Sequence, residues 1–289
     1  MELNEWQKAG RFFRYGQHRV FYREEGRGEA LLLLHGFPTA SWDWHKLWEP
    51  LSEQFHLIAP DFIGFGFSDK PRPYPYSIRD QADMVENLLE CKSIGHYHIF
   101  AHDYGDTVAQ ELLARSLEGS LRGELRALCL LNGGLFPEAH YPRLVQKLLI
   151  SPIGPLMSPF LSKRTLARNF RQIFGPETQP STSDIDAFWA LIAHKNGTRV
   201  MPLLIRYMAE RKANRARWVG ALEQARIPVR LIDGAADPIS GRRLAAHYQQ
   251  LIPNPDVVLL DKVGHYPQTE APDMVLAHFM EFMRSAFGG

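Results

Sequence analysis

Ala101-His102-Asp103-Tyr104-Gly105 follows the apolar run His98-Ile99-Phe100 and precedes Thr107-Val108-Ala109-Gln110-Glu111-Leu112-Leu113. That order reads as a buried strand, a tight turn and a helix. Small Ala101 and Gly105 let strand and helix approach closely and hold the central side chain up. That side chain is Asp103, a carboxylate at a helix N-terminus, where the macrodipole favours negative charge. Asp is also a preferred helix N-cap, so the pentapeptide alone leaves both readings open.

Outward from this turn the chain alternates strands and helices. Residues 11–23 read as an opening hairpin turned at Gly16-Gln17. Ala30-Leu31-Leu32-Leu33-Leu34 is a continuous apolar run, the mark of a central strand covered on both faces. Thr39-Ala40-Ser41 lead into a helix through Trp42, Trp44, Leu47, Trp48 and Leu51, and Leu57-Ile58-Ala59-Pro60 is the next strand. Ser77 caps a helix whose apolar positions Ala82, Val85, Leu88 and Leu89 recur at helical spacing. Leu125 to Leu131 is a sixth strand, ending at Asn132-Gly133-Gly134.

The alternation then stops. Residues 135–220 hold Pro137, Pro142, Pro152, Pro155 and Pro159 and several amphipathic segments, with no convincing strand. One helix starts after a Ser183 cap with Ile185, Phe188, Trp189, Leu191 and Ile192; another runs from about Pro202 to Arg211. Strand Val229–Asp233, a helix near Arg242–Leu251, strand Asp256–Leu260 and a helix near Pro272–Ala286 resume the alternation. The expected architecture is a mostly parallel α/β sheet with its site beyond the strands' carboxyl ends. Residues 1–134 and 221–289 form its core, and residues 135–220 an inserted helical lid.

Composition narrows the function. The 289 residues are 45% hydrophobic and 22% charged, as in a soluble globular protein. A formal net charge of +1 implies neither a nucleic-acid nor an anionic-membrane footprint. No apolar run approaches the roughly 18 residues needed to span a bilayer. Cys91 and Cys129 read as buried free thiols of a reducing compartment, and Met1-Glu2-Leu3-Asn4-Glu5 lacks the regions of a signal peptide. A cytoplasmic location is expected.

Three distant segments carry the chemistry. Asp103 lies on the turn. Asp237, in Gly234-Ala235-Ala236-Asp237-Pro238, follows one strand, and His265, in Val263-Gly264-His265-Tyr266-Pro267, follows the last. An imidazole beside a carboxylate serves as a general base, and a second carboxylate fixes its tautomer. The order predicts Asp103 and His265 within hydrogen-bond reach, directly or through one water, with Asp237 on the other imidazole nitrogen. His35-Gly36-Phe37-Pro38 supplies a loop near the same strand ends. The glycine-rich Asp61–Asp69 segment lacks the Gly-Lys-Ser/Thr ending of a phosphate loop and reads as a packing turn. No G-x-S-x-G and no H-E-x-x-H occurs, so neither a serine elbow nor that zinc site is present.

These motifs resemble the α/β-hydrolase superfamily, in the branch with an aspartate nucleophile: epoxide hydrolases and haloalkane dehalogenases. The resemblance covers nearly the whole chain. It rests on His35-Gly36-Phe37-Pro38-Thr39, Gly64-Phe65-Gly66-Phe67-Ser68-Asp69, His102-Asp103-Tyr104-Gly105-Asp106, Arg217-Trp218-Val219-Gly220 and His265-Tyr266-Pro267-Gln268. It implies Asp103 as nucleophile, His265 as base and Asp237 as acid. The Tyr104 and Phe37 amides would form the oxyanion hole. Haloalkane dehalogenases usually have Trp after the nucleophile and a polar residue after His-Gly; Tyr104 and Phe37 stand there. Epoxide hydrolases use lid tyrosines as acids, one after a late Trp, where this chain has Trp218-Val219; Tyr207 and Tyr141 are the substitutes. Trp42 and Trp189 are further substrate-binding candidates, and Trp42 and Trp44 are candidate halide donors.

The expected function is therefore epoxide hydrolysis through a covalent alkyl-enzyme ester, on a small apolar organic substrate. No cofactor, metal, nucleic acid or membrane span is required, and a homodimer is compatible. Haloalkane dehalogenation is the enzymatic alternative. A non-catalytic ligand-binding protein of the same fold is the alternative from another class.

Overall fold

Leu31, Leu32, Leu33 and Leu34 are fully buried and fall alternately into two separate cores. A strand's side chains alternate in direction, so an unbroken apolar run fits only a strand with packing on both faces. The computed structural model describes residues 1–139, 141 and 143–288. This leucine strand, β3 (Glu29–Leu34), lies in a sheet of eight. The others are β1 (Arg11–Tyr15), β2 (His18–Glu25), β4 (Phe55–Pro60), β5 (His96–His102), β6 (Glu124–Leu131), β7 (Val229–Gly234) and β8 (Asp256–Leu260). Their order is β1-β2-β4-β3-β5-β6-β7-β8. β2 pairs antiparallel with β1 and β4, and every other pairing is parallel.

Helices α1 (Leu3–Ala9), α2 (Trp48–Ser52), α3 (Ile78–Cys91) and α4 (Tyr104–Glu118) precede β6. Ser77 caps α3, its Oγ accepting from the Asp80 amide. The helix expected through Trp42 to Leu51 is instead a single 3-10 turn, Ser41–Trp44, followed by the short α2. Pro50 is the cause. It has no N–H to donate, and it is tolerated only in the first turn of α2. Cys129 is buried, but Cys91 is exposed at the end of α3; both are free thiols.

Between β6 and β7 the described residues hold helices and no strand: α5 (Leu144–Ile150), α6 (Gly154–Met157), α7 (Lys163–Ile173), α8 (Thr182–Ala193), α9 (Met201–Leu204), α10 (Tyr207–Ala213) and α11 (Arg215–Glu223). The cap of α8 is Ser181, not Ser183. Ser181 Oγ accepts from the Asp184 amide while Asp184 accepts from the Ser181 amide, a reciprocal pair that needs three-residue spacing. The segment from Pro202 to Arg211 is two helices, α9 and α10, rather than one. α11 packs on α4: Trp218 Nε1 donates to Glu111 Oε2 at 2.8 Å, and Arg217 Nε donates to the same carboxylate at 2.7 Å. Gly220 therefore lies inside a helix attached to the sheet layer. α12 (Arg242–Leu251), α13 (Pro267–Glu270) and α14 (Pro272–Phe287) complete the chain.

β3 and β5 are neighbours, and α4 leaves the end of β5 directly across β3. A Cβ on Gly105 would lie 2.5 Å from the Leu34 carbonyl oxygen, a backbone atom with no freedom to yield. Gly105→Ala is expected to destabilise the fold by roughly 1–3 kcal/mol. Urea denaturation would show this as a lower midpoint at unchanged slope. A wild-type midpoint would show that the contact is not tight.

Candidate active site

Asp103 is the single residue between β5 and α4, with φ +46° and ψ −99°. It stands at the N-cap position of α4, yet its side chain makes no capping hydrogen bond. The carboxylate instead accepts from the Phe37 amide, Oδ2 to N at 3.0 Å, and lines an internal cavity. Arg211, from α10, is buried behind it. Its Nη2 donates to the Asp103 carbonyl oxygen at 3.0 Å and lies 3.6 Å from Oδ1, and its Nε donates to Thr107 Oγ1 at 2.7 Å. Burial opposes ionisation of Asp103, but the His265 and Arg211 charges and the Phe37 amide hold the carboxyl below the usual range.

His265 lines the same cavity from the loop after β8. Its Nδ1 meets Asp237 Oδ2 at 2.7 Å. Burial alone would lower the imidazole, but the bonded Asp237 carboxylate and the Asp103 charge raise it to about 9. At neutral pH His265 is therefore a cation between two anions. No hydrogen bond joins Asp103 and His265 directly; both face the cavity.

Asp237 does not line the cavity and is engaged by the protein around it. Besides His265 it accepts from Asn132 Nδ2 at 3.0 Å, Ser240 Oγ at 2.7 Å, and the Ile239 and Ser240 amides at 2.8 and 3.1 Å. Against the cost of burial, His265 and these donors keep its carboxyl below the usual range. Asn132 also accepts from the Gly234 amide at 2.7 Å, tying the ends of β6 and β7 together. The His265 loop is held by Glu270, which accepts from the amides of Gly264, Tyr266 and Gly175, each at 2.8 Å. Gly175 belongs to the insertion, so one carboxylate fixes the loop to the helices above it. Asn132, Ser240, Glu270 and Arg211 were not legible as site residues. Asn132 was visible at a strand end and Glu270 five residues after His265, but Arg211 carried no local signal.

The loop after β3 is set by His35. Its Nδ1 bonds the Gly36 carbonyl at 2.9 Å and its Nε2 accepts from the Phe62 amide at 3.1 Å. Burial lowers this imidazole to about 3, so it stays neutral and works as a strut. The Asp61 carboxylate accepts from the Ser41 and Phe67 amides, which makes the glycine-rich segment a packing turn. The Gly105 amide is bonded to the His35 carbonyl, whereas the Tyr104 amide opens α4, where a helix has no internal acceptor. Asp106, next along α4, and Asp233, in β7, are buried carboxyls that burial pushes well above the usual range.

The cavity offers about 90 Å³. Its core-side wall is Phe37, Pro38, Asp103, Ile239 and His265, and the insertion closes it with side chains of α5, α7, α8 and α9 such as Leu149, Phe170 and Trp189. Trp189 lines it. Three other candidates do not. Trp42 stacks on His45, centroids 3.7 Å apart, and meets the edge of Phe188. Tyr207 is fully buried between Phe37 and Tyr104, with the Arg211 guanidinium over its ring. Tyr141 is half-exposed under the Arg243 guanidinium. The polar side chains that the insertion contributes are Arg143, Gln146, Ser162, Thr165 and Asn169.

A family model described as the alpha/beta hydrolase fold matches residues 29–272. The mesoderm-specific transcript protein of Mus musculus is 44% identical over 297 residues, covering 98% of this chain and 88% of that protein. Haloalkane dehalogenase 2 of Mycobacterium bovis is 28% identical over 280 residues, covering 94% of this chain and 93% of that protein. Among solved structures, epoxide hydrolase CorEH without ligand superposes with a TM-score of 0.78 at 22% identity, over 96% of this chain and 98% of that one.

The His265 value of about 9 depends on Asp237. In Asp237→Asn the burial penalty is no longer opposed by that charge, and the imidazole is expected to titrate well below 9 by NMR. An unchanged titration would show that the pair is not the cause. Because the folded value lies above the ordinary 6.5, the pair's stabilisation is complete below pH 6.5 and is lost as pH rises through 9. Asp237→Asn should flatten that decline.

Proposed function

The chain belongs to the α/β-hydrolase fold family, and on that premise we propose that it hydrolyses a small apolar epoxide through a covalent ester on Asp103. One observation carries the reading. Asp103 occupies a helix N-terminus without capping it, and its carboxylate opens on a mostly apolar cavity that His265 also lines. A structural cap has no reason to forgo its bond to the helix amides.

In this mechanism an Asp103 oxygen attacks one epoxide carbon, and the ring C–O bond breaks. A carboxylate is already ionised near pH 7 and needs no base for this step. The opening oxygen takes a proton from the His265 imidazolium, since neither candidate lid tyrosine lines the cavity. The ester has no charge, so the Asp103 contribution that raised His265 is gone, and the neutral imidazole becomes a base. It removes a proton from water as the water oxygen adds to the ester carbonyl carbon. The Phe37 and Tyr104 amides hold the oxyanion. Collapse releases the diol and restores Asp103 and the His265 cation. The insertion serves as a lid that keeps bulk water from the ester. Haloalkane hydrolysis is the second reading, favoured by the Trp189 indole in the cavity wall.

Intact-protein mass spectrometry with epoxides, haloalkanes and esters tests this. His265→Gln removes both the proton donor of ring opening and the base of hydrolysis. An epoxide adduct should therefore form slowly, with water supplying the proton, and then persist at Asp103, with turnover reduced about 10²- to 10⁴-fold. Asp103→Ala should form none. Labelling by haloalkanes alone would select the second reading. Turnover by Asp103→Ala at the wild-type rate would overturn both. No adduct and no product from any class would leave a ligand-binding protein.

A further inference from the structure

Among the described residues, eight of the thirteen exposed large apolar side chains fall between positions 141 and 160. Leu144, Leu156 and Phe160 are 78%, 72% and 82% exposed. Leu148, Ile153 and Met157 are about half exposed beside them. Scattered apolar side chains are ordinary on a surface, but a contiguous run of this kind marks a place where something docks.

The charge around this run is one-sided. Residues 139–176 contain Arg143, Lys147, Lys163, Arg164, Arg168 and Arg171 and no Asp or Glu, in a chain with 32 acidic residues among 289. The near-zero net charge of the whole chain conceals this. α7 is amphipathic: Leu166, Phe170 and Ile173 face the cavity, while Lys163, Arg164, Arg168 and Arg171 are exposed. Of the six cations only Lys163 forms an ion pair among the described residues, with Asp186. The basic side chains adjoin the apolar run at both ends. Lys163 and Arg164 follow Phe160 in the chain, and Arg143 Nη2 donates to Gln172 Oε1, joining the start of α5 to the end of α7.

We propose that the outer face of residues 143–171 docks on an anionic lipid surface. Exposed leucine and phenylalanine side chains enter the headgroup boundary, and the surrounding arginines and lysines meet lipid phosphates and carboxylates. No described helix is long and apolar enough to cross a membrane, so the segment lies on the surface and does not span it. A second copy fits less well. A two-fold interface would set this cationic face against its own image. The inner side of the same segment is occupied by the cavity, with Val145, Leu149, Leu161 and Leu166 among its lining. Docking would therefore place the helices that cover Asp103 against the apolar phase, where apolar molecules concentrate. The proposal does not depend on the chemistry at Asp103.

The test is co-sedimentation of the full-length protein with vesicles of phosphatidylcholine, with and without phosphatidylserine, at low and high salt. Binding is expected to the phosphatidylserine vesicles at low salt, and salt or the loss of phosphatidylserine should weaken it. Arg164→Glu with Arg168→Glu should weaken it roughly tenfold or more, since each surface cation contributes a factor of about five. Leu156→Glu with Phe160→Glu should abolish it. All four side chains are exposed, and a wild-type thermal melt would show that the variants fold. Absence of binding to phosphatidylserine vesicles, or binding undiminished in either double variant, overturns the proposal. So does a dimer in solution that Leu156→Glu with Phe160→Glu dissociates, which would assign the face to a second copy.

Discussion

The chain reverses between β5 and α4 within one residue, and that residue needs a backbone conformation with φ +46°. For a side chain other than glycine such a conformation costs about 1–3 kcal/mol and persists only where its surroundings over-determine it. The surroundings here are visible. Gly105 is pressed against the Leu34 carbonyl, and a Cβ on Gly36 would lie 2.5 Å from His102 Nδ1 and 3.2 Å from Asp103 Cβ. Two glycines, Gly36 in the loop after β3 and Gly105 in the first turn of α4, thus make room for one lifted carboxylate. Once Asp103 is fixed, the Phe37 amide, the start of α4 and the His265 loop all converge on the same point, because parallel strands deliver their carboxyl ends to one edge of the sheet.

Enclosing this much charge requires pairing. Asp103 and Asp237 are anionic, His265 and Arg211 cationic, and all four side chains are nearly inaccessible to water. Burial alone would push the two carboxyls up and the imidazole down, and it does push Asp106 and Asp233, which form no ion pair among the described residues, well above the usual carboxylate range. The two ionised carboxylates have different surroundings, and that difference separates their roles. Asp237 accepts five hydrogen bonds and is spent on orienting His265. Asp103 holds one amide at its side chain and keeps oxygen lone pairs toward the cavity. Arg211 reaches Asp103 from the insertion, so the helices above the sheet also support the electrostatics beneath them.

Much of the fold was legible because its signals are local. Four consecutive leucines, a Ser77 cap and a strand–turn–helix around Asp103 each carry their meaning within a few residues. The misreadings have equally local causes. Pro50 broke a helix that the tryptophan spacing suggested, and Asp184 selected Ser181 over Ser183 as a cap. The loops carrying Asp103, Asp237 and His265 were legible from chain order, since each follows its own strand. Arg211 was not, because its partner lies 108 positions away on another layer. The aromatic candidates fared unevenly for the same reason. Composition marks Trp42, Tyr141, Trp189 and Tyr207 as equals, but only packing decides that Trp189 faces the cavity while Tyr207 is buried between Phe37 and Tyr104. Local charge along α5 and α7 was likewise averaged away in the total.

The central claim is that Asp103 becomes an ester and that water attacks this ester instead of the substrate. A single turnover in H₂¹⁸O, with enzyme in excess over epoxide, tests it most directly. The account predicts that the diol leaves with an unlabelled oxygen taken from Asp103, and that the peptide containing Asp103 gains one ¹⁸O. A labelled diol with an unlabelled Asp103 peptide would mean that water attacks the epoxide directly, and would contradict the account.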